Sequence, residues 1–161
     1  MNQKVRKAVE LVLFIFLCEI AGVAGSLFTT PSIPGWYAGL EKPNIAPPNW
    51  VFAPVWASLY ALMGISLFVV WRKAAGGSLR RIAISTFILQ LALNVLWSYL
   101  FFGLQSPFLG LVDITILWLA IAATIALFSK ISKISAILLL PYLAWVTFAS
   151  YLTYMIFMLN P

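Results

Sequence analysis

The side chains in this sequence that could do chemistry are indoles, amides and two carboxyls set inside apolar runs. Trp56, Trp97 and Trp145 each fall within a long apolar stretch. An indole N–H at that depth needs a partner or a ligand, because burying an unpaired donor costs about 1–3 kcal/mol. Each also belongs to a helical stripe. Trp56, Tyr60 and Met63 follow the i, i+4, i+7 spacing, as do Gln90, Asn94 and Trp97. Trp145, Ala149 and Leu152 repeat it, with Phe148 on the same face. Gln90 and Asn94 should face the interior of a helix bundle, since lipid cannot satisfy amides. For Asn94, hydrogen bonding between helices (about 0.6 kcal/mol per bond) and lining a pocket are both open, and they are compatible. The other tryptophans read more simply. Trp50 and Trp71 sit at the two ends of one apolar run, where indoles gather at membrane interfaces. Trp118 lies mid-run without a polar companion, as expected for packing or lipid contact.

The carboxyls are Glu19, midway along the first apolar run, and Asp113, about two turns from one end of the fourth. An ionisable group at such a position is a functional candidate by default. The alternative is a protonated carboxyl bonded to a neighbouring helix. Neither acid has a visible partner of the kind that a proton relay requires. Histidine is absent. That removes the commonest general base, metal ligand and haem ligand, and argues against a conventional hydrolase or a metalloenzyme. No metal site or required cofactor is expected. The single cysteine, Cys18, excludes an intrachain disulfide. Pro54 falls in the first turn or so of its helix, where it costs little. Pro141 should kink the last helix just below Trp145 and free a backbone carbonyl.

The elements that position these groups follow from composition. Hydrophobic residues make up 63% of the 161 and charged residues 9%, with a mean hydropathy of +1.02. That leaves too little polar surface to cover a fold in water, so the solvent must be lipid. Runs of about 20 apolar residues span a bilayer, and they predict an all-α membrane protein with five transmembrane helices at about 8–28, 49–71, 82–103, 107–128 and 135–158. They form one domain over residues 1–161, with no soluble module. Continuous rather than alternating apolarity excludes a transmembrane β-barrel. All but one of the ten Lys and Arg residues fall at the N-terminus or in the second and fourth loops; the exception is Lys42. The positive-inside rule then puts the N-terminus in the cytoplasm and the C-terminus outside. The net charge of +6 is therefore a topology signal rather than a nucleic-acid surface. The long loop, 29–48, carries five of the nine prolines together with Trp36, Tyr37 and Leu40. Stiff and aromatic, it should be an ordered lid over the bundle. No internal repeat is visible, which counts against an inverted-repeat transporter.

That loop also carries a recognisable signature. Gly35-Trp36-Tyr37-Ala38-Gly39-Leu40-Glu41-Lys42-Pro43-Asn44-Ile45-Ala46-Pro47-Pro48 resembles the WYxxLxKPxxxPP motif of the tryptophan-rich sensory protein family, TspO, also called the translocator protein or peripheral benzodiazepine receptor family. The similarity continues through Val51-Phe52-Ala53-Pro54-Val55-Trp56 and Leu59-Tyr60. It extends to Gln90-Leu91-Ala92-Leu93-Asn94, Trp97-Ser98 and Phe101-Phe102-Gly103, then to Pro141-Tyr142-Leu143-Ala144-Trp145 with Phe148-Ala149. It covers essentially the whole chain.

The resemblance implies a five-helix bundle, often a homodimer, in a prokaryotic cell membrane. It implies a pocket beneath the first loop that binds porphyrins such as protoporphyrin IX, benzodiazepine-site ligands and other hydrophobic molecules. Carried over residue by residue, the ligand-facing positions are Tyr37, Trp56, Asn94, Trp97, Trp145, Phe148 and Ala149. Trp56 and Trp145 match the two tryptophans tied to light-dependent oxidative breakdown of protoporphyrin in some members. Sterol-binding members carry a basic residue just after the tyrosine near the end of the last helix. Here Tyr154 is followed by none, so tight cholesterol binding is not expected. Three functions follow: a porphyrin-binding protein acting in tetrapyrrole handling or stress sensing, a light- and oxygen-dependent porphyrin-degrading enzyme, and, least supported, a transporter.

Overall fold

The first helix runs well past the point where its prolines should have stopped it. In the computed structural model, which describes residues 2–74 and 76–161, α1 spans Gln3–Ser32 and passes directly into a π-helical turn, Ile33–Tyr37. At its start Asn2 accepts a hydrogen bond from the Lys4 N–H at 3.2 Å, and Arg6 pairs with Glu10 one turn on at 3.0 Å. Pro31 has no N–H to give the preceding turn. The chain absorbs the loss by widening into the π pattern instead of leaving the helix. Ser32 secures this stretch, its hydroxyl shared between the carbonyls of Phe28 at 3.1 Å and Phe102 at 2.9 Å. The first crossing is thus Gln3–Tyr37 rather than 8–28, and the loop expected at 29–48 contracts to about 40–48.

A 3₁₀ turn at Asn49–Val51 leads into α2, Phe52–Lys73. Gly76 and Gly77, with φ of 94° and 85°, make the left-handed bend that starts α3, Gly77–Ser98. α3 ends in a second π turn, Tyr99–Gly103. Ser106 caps α4, Pro107–Ser129, by accepting from the Leu109 N–H at 3.3 Å, with Pro107 in the first turn where its missing donor costs nothing. The last crossing, expected as one helix over 135–158, is two: α5, Lys133–Leu138, and α6, Leu140–Leu159. Pro141 cannot donate to the Ile137 carbonyl, and the break falls at Leu139, earlier than the expected kink beside Trp145.

Five of these helical spans are long and apolar enough to cross a membrane. Their outward faces carry exposed Leu13, Phe16, Val23, Leu27, Ile88 and Leu119, as a surface facing lipid requires. α1 packs against α2 and α3, α3 against α4, and α4 against α6. The main core, around Cys18, Met63, Leu67, Phe87, Ile121 and Phe128, fills the half nearer the basic loops. A smaller cluster of Tyr37, Phe101, Phe102, Leu152 and Ile156 fills the other end. Trp118 does have a polar companion: its indole donates to the Thr147 hydroxyl on α6 at 2.8 Å. The partner comes from another helix, so its own run gives no sign of it.

Candidate functional site

Between the two cores lies a cavity of about 330 Å³ bounded by α1, α2, α3 and α6, a size typical of small-molecule sites. Its roof is built by the two π turns. They bring Tyr37, only 4% exposed, against Phe102 at 5.5 Å between ring centroids, and set Trp36 edge-on to Phe101 at 5.4 Å. Trp97 stacks on Phe101 at 5.1 Å with an interplanar angle of 13°. Two polar contacts hold the roof down. Lys42 Nζ donates to the carbonyls of Tyr37 at 2.6 Å and Leu40 at 2.8 Å, and its charge lies 4.8 Å from the Tyr37 ring centroid. It therefore caps the end of the first crossing, where a cation suits the helix dipole. Asn160, at the end of α6, accepts from the Glu41 N–H and donates to the Glu41 carbonyl, both at 3.0 Å.

A directed chain of hydrogen bonds forms the cavity's inner boundary. The Tyr60 hydroxyl donates to Asn94 Oδ1, Asn94 Nδ2 donates to the Tyr142 hydroxyl at 3.2 Å, and that hydroxyl donates to Gln90 Oε1 at 2.9 Å. α2, α3 and α6 are tied together by it, and all four residues are buried. Asn94 also reaches the cavity wall, so it both links helices and lines the site. On the sides, Trp56 stacks on Tyr60 at 5.6 Å, and Trp145 meets Phe52 edge-on at 6.0 Å. The indole N–H groups of Trp97 and Trp145 are buried and, among the described residues, have no acceptor.

Tyr37, Trp56, Asn94, Trp97, Trp145 and Ala149 come together on this wall. Phe148 does not: it stands behind, 5.5 Å from the Trp145 ring and packed on the outer cluster. Of the two acids, Glu19 lies on the wall, half-buried, and among the described residues makes no hydrogen bond to a neighbouring helix. Asp113 is 3% exposed and away from the cavity, with Oδ2 unpartnered. Cys18 is fully buried in the main core. The α1 face made of Glu19, Gly22, Ser26 and Thr29 was not anticipated as wall. Its signal was a stripe of small and polar residues at helical spacing in an otherwise apolar run. Lys42 and Asn160 were also missed. Lys42 makes sense as a cap only once the first helix is known to extend to it.

Five apolar crossings, four of which bound an aromatic cavity, define an integral, multi-pass membrane protein. The TspO/MBR family profile matches residues 14–159, and the chain belongs to that family. It is 50% identical over 116 residues to the tryptophan-rich protein TspO of Archaeoglobus fulgidus, covering 72% of this chain and 74% of that one. It is 38% identical to the protein CrtK of Rhodobacter capsulatus, over 71% of this chain and 70% of the relative. To the translocator protein of Bos taurus it is 37% identical, over 72% and 69%. The prokaryotic relatives point to a prokaryotic membrane.

Proposed function

We propose that the cavity binds a planar hydrophobic ligand of the tetrapyrrole type, a metal-free porphyrin in the first instance, and that the protein serves tetrapyrrole handling or stress sensing. One observation carries this reading: the wall presents a set of aromatic faces, Tyr37, Trp56, Trp97 and Trp145, around one cavity. A flat ligand stacks its ring against them. The basic residues, gathered at the opposite end from Lys42, orient the roof to the outer face of the membrane. Quenching of intrinsic fluorescence by protoporphyrin IX, in the dark, tests the reading. Saturable quenching that weakens in Trp145→Phe and Trp56→Phe supports it; linear, unsaturable quenching means the porphyrin only partitions into detergent, and refutes it.

A second reading, light-dependent oxidation of the bound porphyrin by oxygen, draws on the Trp56–Tyr60 stack. Two oxidisable rings there adjoin the cavity and connect to Tyr142 through Asn94. Bleaching of the Soret band under illumination, faster than for free porphyrin in the same detergent and suppressed in Trp145→Phe, is the expected result. Equal rates with and without protein would exclude it.

A further inference from the structure

The cavity is chemically two-ended. Toward the roof it offers the aromatic faces of Trp97 and Trp145, whose N–H groups are themselves covered by protein. At the other end it offers an acceptor group without a donor. Glu19 is the one charged side chain on the wall, and among the described residues it makes no hydrogen bond or ion pair. The acidic partner of the basic end is a different residue: Arg6 and Arg72 both pair with Glu10, at 3.0 and 3.2 Å. The hydroxyl best placed to serve Glu19 is already committed. The Tyr60 ring packs over Gly22, one turn from Glu19, but its O–H donates to Asn94. Lipid chains supply no donor, so nothing in the bundle or the bilayer core answers this carboxyl.

The spacing of the two ends follows from helix rise. Glu19 lies one turn to the basic side of Gly22, which carries the Tyr60 ring, and Trp97 lies one turn to the roof side of Asn94, which the Tyr60 hydroxyl reaches. At 1.5 Å per residue the carboxyl and the indole tier are separated by about 9 Å along the bundle. We infer that Glu19 is a specificity residue, and that it selects ligands with an aromatic body carrying an amine at one end. The aromatic body lies among the indoles and the ammonium meets Glu19, making a charge-assisted hydrogen bond. A carboxylate directed at that end of the cavity is repelled, so an anionic ligand lies with its acid groups toward the roof.

This inference rests on the reading that the cavity takes aromatic ligands, and its test is independent of porphyrin. Two rod-shaped probes are titrated calorimetrically into the full chain in neutral-lipid nanodiscs. One is a biphenyl with a para-carboxamide and an aminomethyl group at the far para position; the other carries methyl in place of aminomethyl. The wild type is expected to bind the amine about tenfold more tightly than its methyl counterpart. Glu19→Gln should reduce that preference to less than about twofold, and saturable binding of the methyl compound by the variant shows that it is folded. A preference that survives in Glu19→Gln, or is absent in the wild type, overturns the inference. So does failure of both probes to bind. Absence of porphyrin quenching alongside an intact, Glu19-dependent amine preference would instead count against the porphyrin reading alone.

Discussion

Replacing Tyr142 with phenylalanine removes one hydroxyl and nothing else from the centre of the bundle. That hydroxyl accepts from Asn94 at 3.2 Å and donates to Gln90 at 2.9 Å, and Tyr142 is fully buried. Hydrogen bonds between membrane helices average about 0.6 kcal/mol, so losing two costs about 1.2 kcal/mol. The structure pushes the cost higher, because among the described residues Gln90 Nε2 already lacks a partner and the variant would leave that side-chain amide unbonded. An orphaned buried group adds about 1–3 kcal/mol. An overall loss of about 2–4 kcal/mol lowers the melting temperature by roughly 6–12 °C for a chain of this size. Thermal unfolding in detergent, followed by size-exclusion recovery of the native species, measures it. Tyr151→Phe is the control, since Tyr151 is half exposed and its hydroxyl makes no bond. The ring that remains in Tyr142→Phe keeps the edge contact with Trp56, 6.2 Å between centroids in the wild type, so ligand affinity should stay within about twofold. A variant melting within about 1 °C of wild type would refute the claim that this chain of bonds holds α2, α3 and α6 together.

Two further perturbations probe the two ends of the bundle. In Gly64→Ala the new methyl would lie 2.5 Å from Ile15 Cα and 2.8 Å from Ile15 N, both backbone atoms that cannot step aside. It should destabilise by about 1–3 kcal/mol, whereas Gly35→Ala, with nothing within 4 Å, should be near neutral in the same melt. Asn160→Ala removes both bonds to the Glu41 backbone. It should speed amide exchange across residues 40–48 by about tenfold, for roughly 1.4 kcal/mol of lost local stability, and leave exchange in α3 unchanged. Equal exchange in the two proteins would show that Asn160 does not hold the roof.

The crossings were legible because lipid imposes long apolar runs, and the stripes at Trp56, Gln90–Asn94–Trp97 and Trp145–Ala149 were legible because periodicity is a property of a single helix. Their ends were harder. Pro31 and Pro34 read as a stop, yet the chain takes up the missing donor in a π turn secured by Ser32, whose second acceptor is Phe102 on another helix. That partner lies 70 positions away, beyond any local pattern. The same limit hid the Trp118–Thr147 bond, the role of Tyr142 and the Asn160 clamp. Phe148 shows the converse. It shares a stripe with Trp145 but points behind the wall, because a stripe wide enough to be apolar also covers residues flanking the cavity.

The cavity's position follows from how α1 and α2 meet. Near the basic end they touch backbone to backbone, Gly64 against Ile15. Nearer the roof, the contact at Gly22 is with the ring of Tyr60 rather than with main chain. The ring nests on the glycine, and the wall beyond it carries Trp56, Trp97 and Trp145. Tyr60 is held there by its own hydroxyl, bonded to Asn94. The residue that fills the α1–α2 contact is therefore also the first link of the chain that bounds the cavity. The tight contact cannot spread without losing close packing, whereas residues 40–48 are held by a few bonds from Lys42 and Asn160. Lifting that loop costs only those hydrogen bonds, but moving Tyr37, Phe101 and Phe102 beneath it also breaks buried aromatic packing.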